Sequence, residues 1–389
     1  MSRTVGWHFL QLPGPTNVPG RVLEAMARPT VDHRGPDFPE LTRACLDGLK
    51  WVFKTEGTVV MYPASGSGGW EAALVNTLSP GDRVLMCETG QFGLGWAAVA
   101  ERFGLQVQMV PGDWRRGVDP AAIETRLRSD TERAIKAVCV VHNETSTGAV
   151  SPIADVRAAM DRVIHPALLM VDVVSSLGSI DYRHDEWGVD VAVAGSQKGL
   201  MLPAGLSFTA VSDAALRAAS RATLPRSYWD WDQMTRKNEE GYFPYTPATN
   251  LLFGLREATE MLREEGLDAV FARHARHGRA TRAAVDAWGL ELQCARPEDR
   301  SDVLTAVRMP DGHDADAFRA LVLERFNMAL GSGLGRVAGE VFRIGHLGDM
   351  NDLMLLATLA GVESGLALHG VPIERGGVQA AMESLEAEG

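Results

Sequence analysis

Between residues 57 and 211, short apolar runs alternate with amphipathic stretches of helical length. Strands buried on both faces of a parallel sheet read as continuous apolar runs, whereas strands of a half-exposed sheet alternate polar and apolar residues. The alternation with helices therefore predicts an α/β fold, in which helices cover a mostly parallel, seven-stranded sheet. The predicted strands are Thr58–Tyr62, Arg83–Cys87, Gln106–Val110, Ile135–His142, Ala167–Val173, Val189–Gly195 and Leu206–Val211.

The length of the chain predicts more than one domain. Its 389 residues are too many for one ordinary core and suit a large domain with a smaller one. We expect the large domain over residues 21–265, preceded by an N-terminal segment, 1–20, that contributes to the functional site. Long helices followed by short strands and further helices predict a smaller C-terminal α+β domain over 266–389.

Composition and charge restrict the kind of partner. The net charge of −12 disfavours nucleic acid or an anionic membrane surface as the main partner. No apolar stretch approaches the roughly 20 residues that span a bilayer, and residues 1–8 lack the apolar core of a signal peptide. These features predict a cytoplasmic protein that acts on small molecules. The cysteines lack the spacing of a metal site and are expected to be buried thiols: Cys45, Cys87, Cys139 and Cys294.

Two of the predicted strands end next to reactive side chains. One ends on Asp172, and the next is followed by Ser196-Gln197-Lys198. Parallel sheets bind ligands beyond the carboxyl ends of their strands. A sheltered lysine can form a Schiff base with pyridoxal 5'-phosphate, while a carboxylate keeps the pyridine nitrogen protonated. We therefore predict this cofactor, with Lys198 and Asp172 as catalytic residues, although each alone could be a solvated lysine or a turn-capping aspartate.

A glycine-rich loop, Ser65–Gly69, lies between a predicted strand and a predicted helix. Small residues let backbone N–H groups approach an anion, and the start of a helix adds favourable partial charge. A dinucleotide site would need Gly-x-Gly-x-x-Gly and an acidic residue about 20 positions later. The glycine spacing differs, but Glu88 lies near the acidic position, so a dinucleotide-dependent dehydrogenase remains the alternative outside this cofactor chemistry.

Five motifs follow one another along the chain. They are Gly14-Pro15-Thr16-Asn17, Ser65-Gly66-Ser67-Gly68-Gly69-Trp70-Glu71, Asn143-Glu144-Thr145-Ser146-Thr147-Gly148, Val171-Asp172-Val173-Val174-Ser175-Ser176 and Gly195-Ser196-Gln197-Lys198. With these motifs the chain resembles the class V pyridoxal-phosphate aminotransferases, and within them the serine–glyoxylate and alanine–glyoxylate group, over about residues 9–370. The resemblance implies the fold-type I architecture and a homodimer.

The resemblance also implies a reaction. The chain is expected to move the amino group of a small L-amino acid to glyoxylate in two half-reactions, giving glycine and a 2-keto acid. Serine is the preferred donor, with aspartate and alanine as alternatives. A lyase or desulfurase with the same cofactor is disfavoured, because Val173-Val174-Ser175 follows Asp172 without a histidine and no cysteine has a suitable setting.

The resemblance implies a role for each residue around the cofactor. Phe92 stacks on the cofactor ring, at a position where many relatives carry tryptophan, and Val174 packs on the opposite face. Thr145 hydrogen-bonds the phenolic oxygen of the cofactor. Gln197 and the backbone of Ser67, Gly68 and Gly69 hold the phosphate.

Further roles concern the substrate and the second subunit. Thr246, in the segment 243–247, is expected to touch the phosphate in the neighbouring subunit's site, so that the dimer completes that site. Arg343 matches the family arginine that binds the substrate α-carboxylate through two parallel hydrogen bonds. Gly14 is expected beside the substrate. Arg34 could bind the second carboxylate of a dicarboxylic donor or form a structural ion pair with an acidic neighbour.

Overall fold

The structure, a computed structural model, describes residues 6–387. Its strands are β1 (Phe9–Gln11), β2 (Thr58–Ala64), β3 (Arg83–Cys87), β4 (Gln106–Val110), β5 (Ile135–Val141), β6 (Asn143–Glu144), β7 (Ala149–Val150), β8 (Leu168–Asp172), β9 (Val191–Gly195), β10 (Gly205–Val211), β11 (Leu304–Arg308), β12 (Met328–Ser332) and β13 (Val341–Gly345). Its helices are α1 (Gly20–Met26), α2 (Phe38–Phe53), α3 (Gly66–Thr77), α4 (Gln91–Arg102), α5 (Pro120–Ser129), α6 (Ile153–Arg162), α7 (Asp213–Ala219), α8 (Trp231–Glu240), α9 (Thr249–Glu265), α10 (Leu267–Ala287), α11 (Ala315–Phe326), α12 (Asp352–Leu368) and α13 (Gly377–Glu386). None of these described helices is long and apolar enough to cross a lipid bilayer.

All seven predicted strands lie in one sheet, with the order β2-β10-β9-β8-β5-β3-β4. The strands from β9 to β4 in this order are parallel to their neighbours. Only the last strand in sequence, β10, runs antiparallel, both to β9 and to β2. The prediction of an α/β fold with a mostly parallel, seven-stranded sheet is confirmed.

The two faces of this sheet carry separate hydrophobic cores, because successive side chains of a strand point to opposite faces. On β8, Leu169 and Val171 pack in the core that includes α2, α5, α6 and α9. Leu168 and Met170 pack in the other core, with α3, α4, α7 and α8. Every residue of β8 and β9 is buried. Burial on both faces explains why these strands show no polar alternation.

A second sheet, with the order β1-β12-β13-β11, forms the C-terminal region together with α10, α11, α12 and α13. Its edge strand β1 comes from the start of the chain and pairs in parallel with β12, with Phe9 opposite Met328. The chain then passes directly against β13, since a Cβ on Gly345 would lie 2.2 Å from the carbonyl oxygen of Leu12. The N-terminal segment therefore connects the small sheet to the strand ends of the large sheet.

Candidate active site

The carboxyl ends of the parallel strands border a cavity of about 220 Å³. It is lined by Gly14, Ser65, Gly66, Ser67, Trp70, Phe92, Val141, Asn143, Thr145, Asp172, Val174, Gln197 and Lys198. The site residues predicted from the sequence that the structure brings together here are Gly14, Ser67, Phe92, Thr145, Asp172, Val174, Gln197 and Lys198. The chemical groups at the ends of β8 and β9 thus share one cavity.

Lys198 is buried in the turn that follows β9. Its Nζ donates to the carbonyl oxygen of Pro13 across 2.8 Å and to Thr145 Oγ1 across 3.3 Å. Burial lowers the pKa of Lys198 to about 8, and the charge of Arg343 acts in the same direction. The amine is therefore much closer to its neutral, nucleophilic form at physiological pH than an exposed lysine would be.

Asp172 is buried at the end of β8, and both of its oxygens accept hydrogen bonds. Oδ2 accepts from the indole Nε1 of Trp70 and Oδ1 from the backbone N–H of Val174, each across 2.8 Å. Burial raises the pKa of Asp172 to about 6, while these two hydrogen bonds oppose the increase. Near neutral pH the side chain is mostly a carboxylate, the form that can bind a protonated pyridine nitrogen.

The start of α3 forms one wall of the cavity. Ser65 precedes the helix without capping it through its side chain. The first amide groups of a helix have no acceptor within it, so those of Gly66, Ser67 and Gly68 are available for an anion. Gly68 and Gly69 do not line the cavity themselves. A Cβ on Gly69 would lie 2.4 Å from Val193 Cγ1, so this glycine lets α3 pack closely on β9.

Further groups at this wall suit a phosphorylated ligand. The side chain of Gln197 lies at the cavity, and its buried Oε1 has no hydrogen-bond partner among the described residues. An amide oxygen accepts hydrogen bonds, so the group of this side chain that could donate to a phosphate is its Nε2. A Cβ on Gly66 would lie 2.6 Å from Val174 Cγ2, so the glycine keeps the helix start close to the strand-end loops. With the amine of Lys198 and the carboxylate of Asp172, this wall provides the donor set that pyridoxal 5'-phosphate requires.

Arg343 on β13 reaches the same region from the small sheet. Its Nη1 donates to the carbonyl oxygen of Thr145 and its Nε to that of Ser332, each across 2.7 Å. The guanidinium is buried, which lowers the pKa of Arg343 to about 10, so it stays charged at physiological pH. Among residues 6–387 no carboxylate forms an ion pair with it, and Nη2 has no hydrogen-bond partner. The charge of Glu144 acts on the guanidinium without contacting it. A buried charge without an ion-pair partner in contact favours binding of an anion.

Glu144 is a buried acid at the site for which the sequence predicted no role. Its carboxyl group accepts hydrogen bonds from the backbone N–H groups of Phe92 and Gly93, each across 3.2 Å, and from Ser146 Oγ across 2.6 Å. Burial raises the pKa of Glu144, and the donated hydrogen bonds oppose this. The interaction fixes the start of α4 and so places the ring of Phe92, whose centroid lies 5.8 Å from Lys198 Nζ.

The N-terminal segment covers the lysine turn. The backbone N–H of Thr16 donates to the carbonyl oxygen of Gln197 across 3.1 Å, and Thr16 Oγ1 donates to that of Lys198 across 3.3 Å. Gly14 has a φ of +100°, and a Cβ there would lie 2.8 Å from Lys198 Cε. Only glycine suits both the backbone conformation and the contact with the lysine chain.

Gly68, Gly69 and Arg343 adjoin the cavity without lining it, whereas two further predicted residues, Arg34 and Thr246, are exposed. Arg34 is exposed, and only its backbone N–H is bonded, to Asp32 Oδ1 across 2.9 Å. Its guanidinium pairs with no acidic side chain within residues 6–387, so the structural ion pair considered for it does not form there. Thr246 is also exposed and does not line the cavity of its own chain. Its expected contact with a neighbouring subunit stays a prediction.

Trp70 and Pro13 were not assigned roles from the sequence. Pro13 acts through its backbone carbonyl, so its side chain gives no indication of the role. Its position between strand β1 and the Gly14 motif is the only indication in the sequence. Trp70 lies within the glycine-loop motif, and its indole nitrogen is a donor that a buried site would normally use. A tryptophan within the glycine-loop motif is therefore the sequence signal that could have indicated the contact with Asp172.

Comparison with known proteins places this geometry in a family. The family model for class V aminotransferases matches residues 8–340. The chain belongs to the class V aminotransferases. This membership confirms the prediction of a transaminase that uses pyridoxal 5'-phosphate, and it decides against the dinucleotide-dependent dehydrogenase.

Several relatives of this class V aminotransferase match it over nearly its whole length. A serine–glyoxylate aminotransferase of Methylorubrum extorquens is 51% identical, covering 98% of this chain and 97% of the relative. An L-aspartate–glyoxylate aminotransferase of Paracoccus denitrificans is 48% identical, covering 96% and 94%. The crystal structure of ureidoglycine–glyoxylate aminotransferase from Bacillus subtilis has a TM-score of 0.90 at 30% identity, covering 99% and 100%. These likenesses confirm the fold-type I architecture.

Proposed function

We propose that this class V aminotransferase moves the amino group of L-serine to glyoxylate, giving glycine and the keto acid of serine. The observation that supports amino acid chemistry is the buried, unpaired guanidinium of Arg343, linked to Lys198 through Thr145. The choice of serine rests on the similarity to the serine–glyoxylate enzyme of Methylorubrum extorquens.

Arg343 would bind the α-carboxylate of either substrate. Nη2 has no partner among the described residues, while Nη1 and Nε are held by backbone carbonyls. The fixed guanidinium would orient the substrate so that its amino group lies on the side of Lys198. Orientation of this kind lowers the entropic part of the barrier.

Pyridoxal 5'-phosphate, when bound, supplies a carbonyl group for the amine and a ring that withdraws electrons from the substrate Cα. Lys198 would hold the cofactor until substrate arrives, and its freed amine would then take the proton from Cα and return it during transfer. Its pKa of about 8 suits both uptake and release of a proton near neutral pH.

The other residues would fix the cofactor. Asp172 would keep the pyridine nitrogen protonated, and Thr145 Oγ1 would meet the phenolic oxygen. Phe92 and Val174 would pack on the ring, and the phosphate would bind Gln197 and the loop Ser67–Gly69. These assignments are supported by the shared cavity and by the N–H groups of Ser67 and Gly68, which have no acceptor within α3, whereas the N–H of Gly69 donates to the carbonyl oxygen of Ser65 across 3.1 Å.

We further propose that the active unit is a homodimer in which Thr246 of one chain contacts the phosphate bound by the other. The exposed position of Thr246, away from its own chain's cavity, is consistent with this role. The neighbouring Tyr245 stacks on Tyr228 with ring centroids 4.1 Å apart, which holds the segment in place. The active site would then be completed between chains.

Aspartate is the second candidate donor. Arg34 carries a guanidinium without an acidic partner in the described chain, and a close relative from Paracoccus denitrificans is an L-aspartate–glyoxylate aminotransferase. A second carboxylate on the donor would suit such a group. Alanine offers neither a hydroxyl nor a carboxylate and is the third candidate.

The test follows the absorbance of the bound cofactor while serine, aspartate and alanine are added singly, and then adds glyoxylate. We expect serine to convert the cofactor fastest and glyoxylate to restore it. If aspartate converts the cofactor faster than serine, aspartate replaces serine as the proposed donor. The preference for aspartate would then be assigned to Arg34 if Arg34→Ala loses it and the exposed control Arg221→Ala keeps it. If no amino acid changes the absorbance, the proposed transfer is wrong.

A further inference from the structure

Trp70 connects the start of α3 to the carboxyl group of Asp172. Its buried indole donates from Nε1 to Asp172 Oδ2 across 2.8 Å. The indole is itself fixed by two aromatic neighbours. It stacks on Trp96 with centroids 6.0 Å apart and an interplanar angle of 14°, and it forms a T-shaped pair with Phe92, with centroids 6.4 Å apart. A donor held in this way has little freedom to leave its acceptor.

The two oxygens of Asp172 are bonded from different parts of the fold. Oδ1 accepts from the backbone N–H of Val174, in the turn after β8, and Oδ2 accepts from α3. Two bonds at two oxygens fix the rotation of the carboxyl group, whereas the backbone bond alone would leave Oδ2 free. Each carboxylate oxygen can accept a second hydrogen bond, so both remain able to bind a ligand in the cavity.

We propose that Trp70 is a positioning residue, whose indole N–H keeps Asp172 charged and directed at the pyridine nitrogen of the cofactor. The proposal rests on the proposed function only in requiring that Asp172 is the partner of that nitrogen. It does not depend on which amino acid is the donor.

The charges around Asp172 explain why a donor is needed. Burial favours the neutral acid, and the nearby carboxyl group of Glu144 acts in the same direction. Lys198 and the two hydrogen bonds favour the carboxylate. If the indole donor is removed, Asp172 becomes more basic and competes with the pyridine nitrogen for the shared proton. A hydrogen bond to a charged group corresponds to roughly one to two pKa units.

The chain offers a matched control in Trp96. It is buried like Trp70 and lies parallel to it, but its Nε1 has no hydrogen-bond partner among the described residues. Trp70→Phe and Trp96→Phe therefore remove the same group from the same aromatic stack. Only the first removes a hydrogen bond to Asp172.

The experiment loads the full-length enzyme with pyridoxal phosphate labelled with ¹⁵N in its ring and records the ring nitrogen resonance across pH, without substrate. In the wild type and in Trp96→Phe we expect the resonance of a protonated pyridine at neutral pH. In Trp70→Phe we expect the ring nitrogen resonance to move toward that of an unprotonated pyridine. We also expect cofactor binding to be about 10-fold weaker, which corresponds to a change of one unit in the pKa of Asp172. An unchanged resonance in Trp70→Phe would overturn the proposal.

A second variant separates the N–H group from the size of the side chain. Trp70→benzothienylalanine keeps the bicyclic ring and the stacking but replaces N–H with sulfur. We expect the same change in resonance as in Trp70→Phe; a wild-type resonance here would show that the N–H is not responsible. An unprotonated ring nitrogen in the wild type itself would contradict the role proposed for Asp172, a distinct outcome that concerns the proposed function.

Discussion

Arg343 donates from Nη1 to the backbone carbonyl of Thr145 across 2.7 Å, while Thr145 Oγ1 lies 3.3 Å from the amine of Lys198. One residue therefore joins the cation of the small sheet to the amine at the end of the large sheet. The two positive groups are near enough for Arg343 to lower the pKa of Lys198. Binding an anion at Arg343 would reduce that effect and make the amine more basic when substrate is present.

Arg343→Gln should remove the charge that binds the substrate carboxylate. Loss of one partner of a buried charge pair costs about 2–5 kcal/mol, so kcat/KM should fall roughly 30-fold or more, with KM rising. Arg343→Lys should restore only part of this, because an ammonium group lacks the bidentate geometry. Steady-state kinetics would measure both variants. Arg308→Gln, a change on the neighbouring strand β11, is the control; equal losses in the two glutamine variants would contradict the role.

Gly14→Ala should disturb the lysine turn. The new Cβ would lie 2.8 Å from Lys198 Cε, and the φ of +100° is unfavourable for alanine. We expect destabilisation of about 1–3 kcal/mol together with weaker cofactor binding. Gly20→Ala is the matched change, since its Cβ would meet nothing within 4 Å. Thermal unfolding and cofactor titration would compare the two, and equal stability would count against the contact.

The capture of pyridoxal phosphate by cofactor-free enzyme should depend on the ionisation of Lys198. Burial lowers the pKa of Lys198 from 10.5 to about 8. The fraction of neutral amine, and with it the rate of capture, should therefore increase about tenfold per pH unit below pH 8 and level off above it. Stopped-flow absorbance would record the rate. For an exposed model amine such as Nα-acetyl-lysine, the rate of reaction with pyridoxal phosphate should continue to rise to above pH 10. If the rate for the enzyme also rises to above pH 10, the pKa of Lys198 is not lowered by burial.

Subunit complementation can test whether Thr246 acts on the partner's site. A chain with Lys198→Ala lacks the amine but supplies Thr246, and a chain with Thr246→Glu supplies the amine but presents a negative charge to phosphate. Each homodimer should have little activity, whereas the mixed dimer should regain up to about half of the wild-type activity per dimer, because one of its two sites is intact. Activity after co-expression and separation by tags measures this. A mixed dimer as inactive as its parents would place Thr246 outside the partner's site.

The large sheet could be predicted because burial on both faces imposes continuous apolar runs such as β8 and β9. The strand β1 could not, since its three residues are strand only through pairing with β12, more than 300 positions away. The helix α2, over Phe38–Phe53, was also not predicted, although Pro39 in its first turn is a typical start signal.

The site was predictable where strand ends and motifs bring reactive groups to one edge, as for Asp172 and Lys198. It was not predictable where the partner is a backbone atom, as for the carbonyl of Pro13, or where a contact joins distant residues, as for Trp70 and Asp172. Arg34 shows a further limit. Its neighbouring acids suggested an ion pair, but Asp32 bonds only its backbone.

The parallel pairing of β1 with β12 has a consequence for biosynthesis. Residues 9–11 leave the ribosome more than 300 residues before their partner strand, 328–332. The carbonyl of Pro13 and the hydroxyl of Thr16, which meet the lysine turn, follow directly after that strand. A nascent chain can therefore assemble its large sheet, which ends with β10, before the strand β12 that anchors β1 has been made, and it can secure the lysine only afterwards.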